Sequence, residues 1–442
     1  MDKRRDDDSS MTKGVSGIAT ICVSSFLVFM AFNSMQNLES TLNKGDGTTA
    51  VGVIYLAIIG SQPFAPSVIG WVGRKWALVL GASSYVLFIV TNLYPIWQVM
   101  IPAAIVLGLG GAILWPTTLS LIKHFSAQHA RAKGLDKEKC LDQFSSAFWG
   151  SFQFAQLTGS LIIYLITRNK KPDQGGVDDD SHTPHSTTVL IFVFIACSSI
   201  GVFVNFLTLE DVDSSESGQD EDSSDEEEAT ANNLDTKSAM DLLLSPQSLL
   251  LIGVYFYNGI EQSFAWCDFT SEMVLAAYDN KEAMIGILML CYAASNSIVG
   301  SLASQLPSTP KVTRSSIVFA ITTQSICVSV ANFLFQRQKA PLYITAIFLG
   351  AGDALLNTKI GLLLGMDFKG KQHVIMVSMW RGLTALGCAL PFFLSGHTGI
   401  NFNVTLLAGS GAVAISLFLG YWGLRVRKSG DGMYSSLLQD SR

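Results

Sequence analysis

Asp353 and Asn357 stand four residues apart inside an otherwise apolar stretch, Leu349 to Met366, which reads L-G-A-G-D-A-L-L-N-T-K-I-G-L-L-L-G-M. That spacing places both on one face of a helix. A carboxylate at mid-membrane depth costs on the order of 2.5–3.5 kcal/mol on insertion scales, so it turns toward protein and takes a partner. Arg381, in the next apolar stretch, lies at a similar depth and is the expected partner, either as a structural ion pair or in gating or ion sensing. Asn258 and Glu261 form a second polar pair, and Asn33 and Gln36 a third, each at the i, i+3 spacing that shares a helix face. These seven residues are the candidates for a central cavity or regulatory site. The competing reading is interhelical hydrogen bonding without a ligand. Lys359, nearer a helix end, is expected to snorkel toward the interface.

Signals for catalysis are missing. The chain has no G-x-S-x-G, no H-E-x-x-H and no phosphate-binding loop. Its six histidines fall in loops or at the ends of apolar segments. Its seven cysteines include no C-x-x-C pair, which argues against a zinc site or a disulfide framework. No catalytic residue, metal or cofactor is expected, and no nucleic-acid partner.

The elements that position the polar residues are membrane spans. Only 14% of the chain is charged and its mean hydropathy is +0.37, too apolar for an ordinary soluble domain. Segments of about 20 apolar residues predict helices near 14–36, 49–72, 76–94, 97–121, 143–166, 187–208, 247–266, 283–305, 315–336, 341–366, 373–396 and 402–424. Twelve spans put both termini on one side. With the N-terminus inside, roughly 20 of the 29 Lys and Arg residues lie inside and about 7 outside, so the termini are read as cytosolic.

The formal charge of −6 says little about the whole, because carboxylates crowd one segment. Glu210 to Glu228 holds eleven of them and no Lys or Arg, a composition that cannot bury a core. The expected organisation is a cytosolic tail at 1–13, a first six-helix half at 14–208, an acidic disordered linker at 209–246, a second half at 247–424 and a cytosolic tail at 425–442. Within the linker, Ser223 and Ser224 precede Asp225-Glu226-Glu227-Glu228, a context that suits acid-directed kinases. In the tail, Tyr434 and Leu437 fit the sorting pattern Y-x-x-aliphatic. Lys123 to Leu141 reads as a basic cytosolic loop, either resting on anionic lipid or simply following the positive-inside bias.

The halves echo each other. Leu107 to Ile122 aligns without gaps on the Asp353 stretch, matching at Leu107/Leu349, Gly108/Gly350, Gly110/Gly352, Ala112/Ala354, Leu114/Leu356 and Leu121/Leu363. Asn33 and Gln36 in helix one correspond to Asn258 and Glu261 in helix seven, and Trp149 in helix five to Trp380 in helix eleven. Ordered repeats of this kind, split by a linker, predict an all-α membrane protein with the major facilitator fold, twelve helices in two pseudo-symmetric six-helix halves. Between helices two and three, such proteins usually carry G-x-x-x-D-R-x-G-R-R/K. Here Gly73-Arg74-Lys75 keeps the end of that motif, and the acidic part is missing.

Several stretches resemble one branch of that superfamily, the UNC-93-like proteins, and the shorter plant-like members in particular. They are Met35 to Asn43, Ala77 to Gly81, Leu114-Trp115, Phe148-Trp149-Gly150, Tyr257 to Trp266, and the G-x-G-D-x-x-x-N-T of Gly350 to Thr358. The resemblance spans the whole transmembrane region. It implies a multi-pass protein of the plasma membrane or an endomembrane that regulates or escorts another membrane protein, such as a potassium channel or a receptor. The fold by itself supports the alternative, a secondary transporter of an ion or small organic solute.

Overall fold

The computed structural model describes residues 2–42, 46–168, 185–209, 236–278, 281–307, 309–334, 338–368, 371–395 and 397–439. It is all-helical. In chain order the helices are α1 (Asp2–Leu42), α2 (Asp46–Ser61), α3 (Ala65–Val72), α4 (Arg74–Thr91), α5 (Trp97–Lys133), α6 (Lys137–Thr167), α7 (His185–Thr208) and α8 (Thr236–Leu243). Then come α9 (Pro246–Ser263), α10 (Leu275–Ala277), α11 (Lys281–Gln305), α12 (Pro310–Leu334), α13 (Ala340–Asp367), α14 (Lys371–Leu394) and α15 (Ile400–Gln439). Among the described residues, 10 helical segments are long and apolar enough to cross a membrane. Neither α6 nor the run from α9 to α10 is one of them. Both carry polar groups along their length, as Gln153, Gln156 and Ser160 or as Glu261, Asp268 and Glu272.

Each apolar segment expected from the sequence is helical, with departures at its ends. A 3-10 turn at Gln62–Phe64, opened by Pro63, joins α2 to α3. Helix α5 continues to Lys133 and stops at Gly134, whose φ of 63° is the left-handed conformation that ends helices. The stretch expected as a basic loop is thus mostly helix. Phe125 on it fills the space beside Gly17 of α1, so this extension packs on α1 as well as reaching beyond the apolar part. The stretch expected as a disordered linker ends in α8, which packs on α9 and α14. Ser245 then caps α9 by accepting from the Ser248 amide at 3.3 Å, with Pro246 at the first turn. Glu210 to Glu228, with Ser223 and Ser224, lies outside the described residues. The C-terminal segment expected as a tail continues α15, whose helix includes Tyr434 and Leu437. Their side chains are not described. At the other terminus α1 starts at Asp2, so the segment expected as a tail extends the first helix.

One element has no forerunner in the sequence pattern. From Phe264 to Val274 the chain leaves the α-helical winding of α9 for an eleven-residue π-helix before α10. Such wider turns are rare and concentrate at functional sites.

Small residues set the closest helix crossings. A Cβ on Gly108 of α5 would lie 2.3 Å from Ala57 of α2, and one on Gly110 would lie 2.0 Å from Ser84 of α4. The aligned positions repeat the arrangement. Gly350 of α13 abuts Tyr292 and Ser295 of α11, and Gly352 abuts Gln324 of α12. Backbones come this close only where side chains are nearly absent, which is how helices associate in lipid. Around the outside, large apolar residues such as Leu80, Leu87, Ile105, Phe203, Ile326 and Val413 are exposed, as a hydrocarbon surround requires.

The helices before the acidic segment meet those after it mainly through α6 with α11, α2 with α14, and α1 with the π-helix. The closest of these contacts lie at the end of the bundle remote from the N-terminus. The Tyr55 and Phe392 rings stack at 6.0 Å, the Phe393 ring covers Gly52, and Gly286 abuts the backbone at Ser160 and Tyr164. At the opposite end α3 packs on α4 and α5.

Candidate functional site

The buried charge that opens the sequence argument is held without a counter-charge in contact. Asp353 is 8% exposed. Its Oδ1 accepts from Gln262 Nε2 at 2.8 Å and Asn357 Nδ2 at 2.6 Å. Its Oδ2 accepts from Tyr292 Oη at 3.0 Å and Asn296 Nδ2 at 2.7 Å. A carboxylate offers about four lone-pair positions, and four neutral donors fill them. The donors come from α9, α11 and α13, so a single side chain ties three helices together.

Glu261, next to Gln262 in the chain, anchors an adjoining network and is fully buried. Gln324 of α12 donates to Glu261 Oε2 at 2.9 Å and to the Leu349 carbonyl at 3.1 Å, while its own carbonyl accepts from Tyr257 Oη at 3.2 Å. Asn258 Nδ2 approaches Glu261 Oε1 at 3.4 Å. From the other side, Trp380 Nε1 donates to Asn258 Oδ1 at 3.1 Å. Buried polar groups are costly unless hydrogen-bonded, and these satisfy one another across four helices.

Arg381 is not the partner of Asp353. Among the described residues it has no ion pair or hydrogen bond. Its guanidinium lies over the Trp380 ring, 4.2 Å from the centroid. Asp353 is near enough to act on it electrostatically, yet has no lone pair to offer. Depth along the helix brought the two together in the sequence reading. Direction around the helix separates them, because Asp353 faces α9 and α11 while Arg381 is exposed.

The other expected residues are placed as follows. Asn258, Glu261, Asp353 and Asn357 do come together. Gln36 is buried and donates to Tyr55 Oη at 3.1 Å, toward α2 rather than toward Glu261. Asn33 is half-buried on the same helix. Among the described residues no hydrogen bond joins Asn33 or Gln36 directly to Asn258, Glu261 or Asp353. Lys359 does not snorkel. It is 1% exposed and donates from Nζ to the Ala303 carbonyl at 2.8 Å, satisfying the last turn of α11, where carbonyls lack partners. Gly73, with φ of 87°, makes the sharp turn between α3 and α4, and Lys75 lies over the Phe206 ring at 5.9 Å. Arg74 opens α4. Asn403, which opens the glycosylation pattern Asn403-Val404-Thr405, is 2% exposed and donates to Asp268 Oδ1 at 2.9 Å, which keeps its amide engaged inside.

Gln262, Tyr292, Asn296 and Gln324 were missed from the sequence. Their signal was there, as lone polar side chains within apolar spans.

Comparison with known proteins bears on what this network serves. A family model described as ion channel regulatory protein UNC-93 matches residues 39–343. The chain belongs to the UNC-93 family. UNC93-like protein 3 of Arabidopsis thaliana is 28% identical over 397 residues, covering 86% of this chain and 80% of that protein. The putative potassium channel regulatory protein unc-93 of Caenorhabditis elegans is 23% identical, covering 92% of this chain and 61% of that longer protein. The fold is that of a membrane transporter. The crystal structure of the nucleoside transporter NupG superposes with a TM-score of 0.66 at 14% identity, covering 92% of this chain and 99% of that one. This UNC-93 family member is an integral, multi-pass membrane protein.

Proposed function

We propose that this UNC-93 family member regulates or escorts another membrane protein, a cation channel or a receptor, without catalysing a reaction. The observation that carries the reading is the saturation of Asp353. Of the two acidic groups of the expected cavity that a transporter would offer to a cation, Asp353 already has four protein donors, and Glu261 is fully buried against Asn258 and Gln324. Family membership points the same way, through the description of the family and the name of the worm relative. The lost acidic half of the loop motif beside Gly73, Arg74 and Lys75 agrees.

The architecture belonging to this reading is twelve spans in two pseudo-symmetric six-helix halves, 14–208 and 247–424. The segment 209–246 joins them, and both termini are cytosolic. The repeated glycine contacts of α5 and α13 support the pseudo-symmetry. In this arrangement the buried Asp353–Glu261 network fixes the second half as one body. Ser223 and Ser224 serve as regulatory phosphorylation sites and Tyr434 with Leu437 as a sorting signal.

One observation favours a second reading, secondary transport by alternating access. The fold matches a transporter, and the exposed Arg381 offers a charge in a position a solute could reach. Purified protein in liposomes, without a partner, separates the two. Absent flux of potassium, protons and organic solutes, with altered conductance on coexpression with a potassium channel, is the expected result. Saturable, solute-dependent flux would overturn the regulator reading.

A further inference from the structure

We infer that Arg381 is the receiving group for an oxyanion, a carboxylate or phosphate ester, in a cleft that opens between the two sets of helices toward the chain termini. Trp149 of α6 precedes Ser160 by three helical turns and shares its face, the face that packs on Gly286 of α11. Yet Trp149 is 38% exposed. Arg381 of α14 likewise precedes Phe392 by three turns and shares the face that stacks on Tyr55 of α2. Arg381 too is exposed. The two faces are therefore packed at the end remote from the N-terminus and bare at the other, on both sides of the same junction. What they line is the space between the helix sets.

The chemistry of the wall follows. A guanidinium well inside an apolar span normally pairs or marks a ligand path. Arg381 has no ion pair or hydrogen bond among the described residues, although Asp353 lies near enough to act on it. That carboxylate is unavailable to it, with a donor on each lone pair, and Glu261 is closed off by Asn258 and Gln324. The donors of the guanidinium therefore face open space, and the planar fork they form matches a carboxylate or phosphate bidentately.

The arginine is also held in advance. The Trp380 ring beneath it is 4% exposed and fixed by its N–H bond to Asn258, which is in turn bonded to Glu261. A platform anchored in a buried network reduces the ordering cost of binding. Asp353, though saturated, lends negative potential nearby, so the site should favour a singly charged anion over a multiply charged one.

This inference rests on the cleft and not on the regulator reading. The full-length protein in phosphatidylcholine nanodiscs is titrated calorimetrically with benzoate and with phenyl phosphate, and separately reconstituted with phosphatidic acid. Wild type should bind one of these saturably. Arg381→Lys, which keeps charge but loses the fork, should weaken binding about tenfold, and Arg381→Gln should abolish it while the melting temperature and monodispersity are retained. Binding confined to phosphatidic acid through Arg381 would identify a lipid headgroup as the source of the oxyanion. Failure of wild type to bind any probe, or equal binding by Arg381→Gln, would overturn the proposal. Channel modulation that survives Arg381→Gln would leave the regulator reading intact while removing the anion from it.

Discussion

The guanidinium of Arg381 stacks on Trp380, 4.2 Å from the ring centroid, and leaves Asp353 to four neutral donors. The two intramembrane charges of opposite sign thus belong to different surroundings. One is locked in a polar network, the other stands on its edge.

The weakness of their coupling is directly measurable. Asp353→Asn and Arg381→Gln should couple by less than about 1 kcal/mol in unfolding free energy, since Asp353 acts on Arg381 through space and shares no hydrogen bond with it. A coupling above 1 kcal/mol in a double-mutant cycle by chemical denaturation would mean that they pair after all.

Asp353→Asn itself should destabilise the protein by about 1–3 kcal/mol. The new amide nitrogen must face either Gln262 and Asn357 or Tyr292 and Asn296, so two donors lose their acceptor. Thermal unfolding in detergent is the measurement, and an unchanged midpoint would contradict the saturated geometry.

Trp380→Phe should cost about 1 kcal/mol by removing the N–H bond to Asn258 while keeping an aromatic face under Arg381. Trp380→Leu, which also removes the face, should cost more. Equal melting temperatures for the two variants would show that the ring's contact with the arginine contributes nothing.

The helix crossings give a paired test. Gly350→Ala places a methyl 2.2 Å from the Tyr292 carbonyl, and Gly108→Ala places one 2.3 Å from Ala57. Each should lose roughly 1–3 kcal/mol through overpacking. Gly409→Ala, with nothing within 4 Å, should be neutral or slightly stabilising. Folded yield by fluorescence-detection chromatography ranks the three.

Much of this architecture was legible from apolar segment length, and the Gly108/Gly350 and Gly110/Gly352 matches foretold contacts that recur in space. Asp353 and Asn357 announced themselves because charge and amide are rare in such segments. Their partners did not stand out, since Gln262, Tyr292 and Asn296 come from other helices and only the crossing angles bring them in. The pairing of Asp353 with Arg381 failed for a related reason. Sequence position gives depth in a bilayer, but the azimuth of a side chain depends on how each helix is rotated in the bundle. Lys359 misled similarly, because a nearby helix end at Ala303 satisfied its ammonium before water could. The π-helix had no signal at all in residue spacing, and it rotates everything beyond Phe264 relative to an α-helical wheel.

The helix sets join at one end and stand apart at the other, which makes the joined end a fulcrum. Anything that lodges in the open jaw acts as a wedge, and its binding energy goes directly into holding that shape against its alternative. A channel subunit gripping the rim and a solute inside would then compete or cooperate through the same hinge. Each would alter the other's apparent affinity by one common factor, as linkage demands. A transporter-like fold and a regulatory role would then be two uses of a single lever.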